Sequence, residues 1–345
     1  MNRSLLLDSL RILAITLVLI AHIGQLFGHH IGDFFGWKNI YFVSLGGVGV
    51  SLFLILSGLL AGLSDSARPL GYLRYLLKKA RRLYPAYWLS LPLALLGYLL
   101  GESLLSGGLP RLFPNGFLTD LIGSLTGFYA WAGLWGGPYN PPSWFLSLIM
   151  SLYLLCPVLI WLIQRWSHYT LLGLFCISLG TRYYVGQWGL PFIEPSLLDQ
   201  VEGWLYRWYG FMPGRPGDWF PPCRLFEFGL GIYLAHMLPR AAWFSLSLPG
   251  SHLIRKLSDL AFPLFLVHYP FLFLIIWLTN LGVPVPVATG LYLIFALMLA
   301  QLIDRLDKRL GSLGFRLRSA PDGWIGDTTD NRPSRSSPAS ESPRY

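Results

Sequence analysis

Long apolar stretches recur along this chain and limit what it can fold into. Eight of them are 16 to 23 residues long, with short polar or basic segments between them. They are Leu5–Phe27, Tyr41–Leu63, Tyr84–Leu100, Trp144–Ile163, Tyr169–Val185, Cys223–Leu238, Leu260–Leu278 and Pro286–Ile303. About 20 apolar residues in a helix cross the bilayer core. The pattern therefore predicts an all-α, polytopic integral membrane helix bundle with about eight crossings.

The composition excludes the other common classes. Hydrophobic residues make up 54% of the chain and charged residues only 12%, whereas soluble domains carry roughly 25% charge. Too little polar surface remains for a soluble fold, and too few polar residues for a disordered chain. Three cysteines in 345 residues exclude a disulfide scaffold. Leu5–Phe27 is interrupted by Arg11 and His22 and lacks a cleavage site, so we expect a retained first helix rather than a signal peptide.

A ninth, weaker stretch lies at Phe117–Trp135 and contains Asp120 and several glycines. It is compatible with a ninth helix, a re-entrant hairpin or an interfacial helix. Lysine and arginine concentrate on the cytoplasmic side of membrane proteins. With eight crossings and both termini inside, twenty of the 26 basic residues are cytoplasmic. We therefore expect Phe117–Trp135 to be re-entrant or interfacial, and residues 186–222 to lie outside.

The net charge of +9 fits this orientation signal, and no nucleic-acid partner is expected. The apolar runs stop near Gly311, and Asp327–Tyr345 is rich in Ser, Pro, Asp and Arg. Such a segment cannot bury a core. We predict a membrane-embedded domain over 1–312 and a disordered cytoplasmic tail over 313–345.

The first helix carries the strongest functional signal. Arg11 and His22 are eleven residues apart, which is three helical turns plus roughly 20°, so they share one face about 16 Å apart. Asp8 and Gln25 fall on the same stripe. Ionisable residues inside a span are functional candidates, although each side chain alone is compatible with snorkelling to an interface. A histidine base and an arginine anion clamp along one helix suit a long, carrier-linked acyl substrate.

Six sequence blocks resemble, in family order, those of the family-3 membrane acyltransferases, which O-acylate surface sugars and antibiotics. Leu7–Arg11 with His22 resembles their R-x10-H first helix. The others are Gly46–Leu59, similar to the helix ending in S-G-F; Lys79–Trp88, similar to R-x-x-R-I-Y-P-x-Y-W; Pro142–Pro157, similar to W-S-L-S-V-E-x-Q-F-Y-L-L-F-P; Arg224–Gly231, similar to R-x-x-E-F-x-x-G; and Leu264–Pro270, similar to L-Y-L-W-H-x-P.

The resemblance implies a membrane O-acyltransferase that moves a short acyl group, with acetyl expected, from acyl-CoA to a hydroxyl of an extracytoplasmic or lipid-linked glycan. Catalysis would rest on His22 as general base and Arg11 as the holder of a carrier phosphate or carbonyl. Acyl-CoA would be a co-substrate, with no bound cofactor and no metal. Membrane lipids and the hydroxyl acceptor would be the other partners, in the inner (plasma) membrane of a bacterium.

Donor binding is assigned to Lys79, Arg81 and Arg82, which suit the nucleotide-phosphate head of acyl-CoA or serve only as an orientation signal. Ser57 is either a covalent acyl stop or, as we favour, a helix-packing residue beside Gly58. Supporting roles fall to Asp8, Gln25, Trp144, Ser147, Arg224, Glu227 and His268.

Two of these supporting assignments stay open. His268 is either structural or catalytic, and Glu227, one turn after Arg224, is more typical of an intrahelical pair than of a substrate contact.

Ile149 stands where the family has a glutamate, and Lys79 where it has an arginine. Two rival hypotheses follow: a transporter or flippase of a lipid-linked sugar, and a catalytically inactive family member.

Overall fold

The computed structural model describes residues 4–27, 40–64, 71–188, 219–238 and 251–318. Every regular element within these ranges is helical, which confirms the predicted all-α fold. The α-helices are α1 (Leu5–Leu26), α2 (Ile40–Gly62), α3 (Tyr72–Ser106), α4 (Phe117–Thr126), α5 (Trp144–Trp188), α6 (Leu225–Met237), α7 (Ser251–Val267), α8 (Phe273–Asn280) and α9 (Val285–Arg318). Short 3₁₀ turns at Tyr129–Ala132, Pro141–Ser143, Pro221–Arg224 and Tyr269–Phe271 connect several of them.

Five helices in the described ranges are long and apolar enough to cross a membrane, and a bent pair, α7 with α8, makes a sixth. The chain is thus an integral membrane helix bundle. The total of eight crossings stays a prediction.

The long helix α5 contains a reversal that accounts for two of the predicted spans. Ser167 leaves helical backbone, with φ 28° and ψ −98°. A straight helix would separate Tyr153 from Arg182 by about 43 Å. However, Tyr153 packs its ring on Phe228 in the first turn of α6, and Arg182 donates to the carbonyl of Cys223 in the 3₁₀ turn just before it. The two halves of α5 therefore run back along each other, with the turn at Ser167.

The prediction of one continuous helix over Leu260–Leu278 is wrong. The chain bends by 60° between α7 and α8. Pro270 lacks an N–H group and restricts the residue before it, so the helix stops at this point. His268 lies at the bend rather than inside a continuous helix.

Two further elements differ in length from a simple reading of the apolar runs. The basic segment before the third span is helical from Tyr72, because its Leu, Lys and Arg residues favour helix. By contrast, α4 has ten residues, about 15 Å, which is too short to cross. This agrees with the prediction that Phe117–Trp135 does not form a ninth spanning helix.

Small residues allow the central helices to approach closely. A Cβ atom at Gly49 would lie 2.6 Å from the Ala14 carbonyl oxygen of α1, and one at Gly97 of α3 would lie 2.6 Å from the Pro270 carbonyl oxygen. On α2, a Cβ atom at Gly58 would overlap the Phe228 carbonyl of α6. Gly58 thus allows the close approach of α2 and α6, and the packing role of Ser57 stays a prediction.

Contacts divide the chain into a unit of Met1–Asp307 and a unit of Lys308–Tyr345. The second unit contains the last turns of α9, which continues to Arg318, six residues past the predicted domain end at 312. The remainder of the predicted tail, 319–345, lies outside the described residues. So does 189–218, most of the predicted external segment.

Candidate active site

The polar stripe of α1 faces α7. At its N-terminal end, Arg11 donates from Nη1 to the Asp8 carboxylate at 2.6 Å. The Ser258 hydroxyl of α7 donates to the same carboxylate at 2.8 Å and lies 3.5 Å from the arginine Nη1. Asp8 is fully buried, whereas the Arg11 side chain retains 21% exposure. A charge-assisted pair thus fixes the arginine between the two helices.

The other end of the stripe carries histidine. His22 Nδ1 lies 3.0 Å from Gln25 Oε1. The His22 ring lies 5.2 Å, centroid to centroid, from the ring of His268 and 5.1 Å from that of Tyr269, which meets it edge-on. Since His22 and Arg11 both contact the α7 side, they share one face of α1, as their spacing predicts.

The bend after α7 holds His268 firmly. This side chain is fully buried. Its Nδ1 donates to the Phe265 carbonyl at 2.8 Å, and its own backbone carbonyl accepts a hydrogen bond from the Tyr292 hydroxyl at 2.7 Å. Asn140 donates to the neighbouring Leu266 carbonyl at 2.8 Å and so attaches the segment before α5 to the same bend.

The two ends of this interface are matched in spacing. Ser258 precedes His268 by ten residues and Arg11 precedes His22 by eleven, so α1 and α7 run parallel. The predicted Asp8, Arg11, His22 and Gln25 stripe becomes, with α7, a polar line in which Arg11 and His22 lie about 16 Å apart. Ser258 was missed in the sequence analysis. The spacing of Ser258 and His268, almost equal to that of Arg11 and His22, was a signal that could have found it.

The predicted donor-binding residues do not form one cluster. Lys79 is buried, with Nζ 4.6 Å from the Tyr153 ring centroid and 5.3 Å from that of Tyr75. Arg81 and Arg82 are exposed instead. The half-buried Ser57 side chain lies beside the Tyr153 hydroxyl. Ser57 and Lys79 thus meet at the same tyrosine, where cation–π attraction stabilises the lysine.

Arg224 and Glu227 pair at 2.9 Å as predicted, although Arg224 ends the 3₁₀ turn before α6 and only Glu227 lies inside the helix. The same carboxylate oxygen also pairs with Arg182 from the second half of α5 and accepts from the Ser51 hydroxyl of α2 at 3.4 Å. Three helices are therefore joined at one buried carboxylate. This network favours the structural interpretation of Glu227.

The block at the start of α5 is packed rather than open. Trp144, Ser147 and Ile149 are all buried. The Ser147 hydroxyl donates to the Trp144 carbonyl of its own helix at 2.8 Å. Ile149 belongs to the apolar core, so the position of the family glutamate is filled by hydrocarbon here.

The family model of an acyltransferase domain matches residues 5–250, well over half of the chain. The chain belongs to the acyltransferase-3 family. Neither the curated proteins nor the solved structures gave a match. The family makes this protein a membrane acyltransferase, in agreement with its helices and with the sequence blocks described above. The block Leu264–Pro270 lies beyond the matched residues, so the structure alone brings His268 to His22.

Proposed function

We propose that this membrane acyltransferase moves a short acyl group, acetyl in the simplest case, from acyl-CoA to a hydroxyl of an extracytoplasmic or lipid-linked glycan. The placement of His22 is the observation that carries the proposal. This histidine is half-buried on a polar line between two apolar helices, beside a second histidine. We propose that the protein lies in the inner membrane of a bacterium, with both termini in the cytoplasm.

The hydrogen bond to Gln25 selects the reactive nitrogen of His22. Because an amide oxygen only accepts, Nδ1 carries the proton, and Nε2 keeps its lone pair. In the proposed reaction, Nε2 takes the proton of the acceptor hydroxyl as its oxygen attacks the thioester carbonyl. The carbon–sulfur bond then breaks, and the departing CoA thiolate takes that proton back from His22.

The other end of the polar line suits the donor. Arg11 carries a permanent positive charge. Its pairing with Asp8 therefore fixes the position of the guanidinium group and does not change its protonation. In the proposal Arg11 holds the carrier phosphate, because the thioester carbonyl must lie beside His22 at the opposite end of the line. Arg81 and Arg82, exposed at the predicted cytoplasmic end of α3, attract the phosphorylated head of acyl-CoA.

Reconstituted protein provides the test. Liposomes that contain the purified full-length protein are supplied with radiolabelled acetyl-CoA on the side of the termini and with a glycolipid acceptor. We expect label in the glycolipid fraction, and none when the protein carries His22→Ala. His168→Ala is the matched control, because His168 is exposed and contacts Tyr233 at the turn of α5. Movement of unlabelled glycolipid across the bilayer without acyl transfer would favour the transporter hypothesis instead.

A further inference from the structure

We propose that Asn140 is a positioning residue: its side-chain amide replaces the backbone N–H that Pro270 lacks, and so sets the bend whose rings pack on His22. The inference rests on the proposed function and deepens it, because it names a group outside α1 and α7 on which the geometry of the proposed base depends. Asn140 comes directly before the 3₁₀ turn Pro141–Ser143, which leads into α5.

The first step is the gap that a proline leaves in the hydrogen-bond ladder of α7. In an α-helix, the carbonyl of Leu266 would accept from the N–H of the residue four positions later. That residue is Pro270, which has no N–H group, and α7 ends at Val267. The His268 N–H still donates to the Leu264 carbonyl at 3.0 Å, so the Leu266 carbonyl lies just past this intact part of the ladder.

Asn140 supplies the missing donor. Its Nδ2 lies 2.8 Å from the Leu266 carbonyl oxygen, and the contact is buried. Because a carbonyl oxygen only accepts, the amide presents its N–H side here. On the other side, Oδ1 is buried without a hydrogen-bond partner among the described residues. A buried acceptor without a partner is destabilising, so an apolar side chain would suit this position better if the donor were not needed.

The segment that carries Asn140 is itself held in place. The Ser143 hydroxyl donates to the Gly136 carbonyl at 2.7 Å and closes the turn around Asn140. A Cβ atom at Gly136 would overlap the backbone of the same turn, so the turn is closely packed. At the start of α5, the Phe145 ring packs on the Phe265 ring of α7 at 5.4 Å. Two contacts besides its own hydrogen bond therefore fix the place of the Asn140 amide.

The bend transmits this placement to the proposed base. The rings of His268 and Tyr269 pack on the ring of His22, at centroid distances of 5.2 and 5.1 Å. Gln25 holds one edge of the His22 ring through Nδ1. Ring packing then decides how Nε2 points toward the acceptor hydroxyl, and a displacement of about 1 Å at a reacting group lowers rates by up to about 100-fold. The bend thus acts on the rate without touching substrate or taking a proton.

Kinetics separate this role from simple packing. Asn140→Leu, close in shape to asparagine, removes the donor. We expect kcat to fall about 10-fold to 100-fold, with KM for acetyl-CoA unchanged, because Arg11 lies at the other end of the polar line. Ser143→Ala is the matched control, since it removes a hydrogen bond from the same turn and leaves the Leu266 carbonyl paired. Its kcat should stay close to that of wild type. An equal fall in kcat for the two variants, or a rise in KM without a fall in kcat, would overturn the proposal.

A substrate-free measurement tests the pairing of Asn140 with Pro270 directly. Pro270→Ala provides an N–H group for the Leu266 carbonyl. Asn140→Leu should therefore lower the unfolding temperature by a few degrees in the wild-type background, and by much less beside Pro270→Ala. Equal losses in the two backgrounds would contradict the proposal. If Asn140→Leu alone does not fold, recovery of folded protein in the double variant is the expected result, and its absence the contradicting one.

Nitrogen NMR of histidine-labelled protein reports the link to the base without acyl transfer. The His22 ring resonances should shift in Asn140→Leu and stay in place in Ser143→Ala. Unshifted His22 resonances in Asn140→Leu would refute the positioning role. Wild-type protein that transfers no acetyl group, while the variants behave as expected in both substrate-free measurements, would instead reject only the proposed donor.

Discussion

Replacing Gly97 by alanine tests how the fold holds the bend that carries His268. Gly97 lies on α3, and an added Cβ atom would be 2.6 Å from the Pro270 carbonyl oxygen and 2.7 Å from the Pro270 Cβ. Ordinary contacts begin near 3.4 Å, so α3 and the bend must separate by about 0.8 Å. Neither a backbone carbonyl nor a proline ring can rotate out of the way.

The expected magnitude combines two opposing effects. Overpacking destabilises by about 1–3 kcal/mol, whereas alanine for glycine inside a helix stabilises by about 1 kcal/mol. The net loss of stability is therefore modest, about 0–2 kcal/mol. The effect on rate is larger, because a displacement of about 1 Å at a reacting group lowers rates by up to about 100-fold. We expect acyl transfer to fall 10-fold or more while the protein stays folded.

Gly290→Ala on α9 is the matched control, since no described atom lies within 4 Å of a Cβ atom there. Thermal unfolding of the purified proteins in detergent and acyl-transfer rates in liposomes would be compared. The control should be as stable as wild type or more stable, with an unchanged rate. If Gly97→Ala behaved like Gly290→Ala in both assays, the close packing of α3 on the bend would not position His268.

Three further predictions concern the chain outside this contact. Because the positive-inside distribution places both termini in the cytoplasm, Ser337→Cys should react with an impermeant thiol reagent only after lysis, and Gly217→Cys also in intact cells. Deletion of 320–345 should leave insertion and transfer unchanged, because this polar segment cannot bury apolar area; a truncated protein that inserts but is inactive would refute this. Lys79→Ala should lower thermal stability through lost cation–π contacts, whereas Arg81→Ala should raise KM for acyl-CoA at unchanged stability; the reverse pattern would contradict our separation of the two.

Apolar length and periodicity were sufficient to predict where the helices lie. The first two predicted spans end within one residue of α1 and α2, because a bilayer imposes one length on every crossing segment. The bend after α7 was missed, although Pro270 is visible in the sequence. A single proline is tolerated inside membrane helices, as Pro85, Pro92 and Pro157 are here.

Only the part of the candidate site that lies on α1 could be predicted from the sequence. Asp8, Arg11, His22 and Gln25 are close in sequence and share a helical face, so their arrangement follows from helix geometry. Their partners, Ser258 and His268, come from about 250 residues away. Such pairings depend on which helices become neighbours, which hydropathy does not encode. For the same reason the Arg224–Glu227 pair was predictable, and its junction with Arg182 and Ser51 was not.

The most direct test of the account is the rate of acyl transfer by His22→Ala. Removing a general base lowers the rate by about 10²–10⁴-fold. The variant should still express and bind acyl-CoA, because the donor residues lie at the other end of the polar line. Arg11→Ala should instead weaken donor binding, with only partial rescue by Arg11→Lys, since a point charge does not replace the guanidinium fork. A His22→Ala protein that transfers acyl groups at more than about a tenth of the wild-type rate, against the expected loss, would contradict the assignment of His22 as the base.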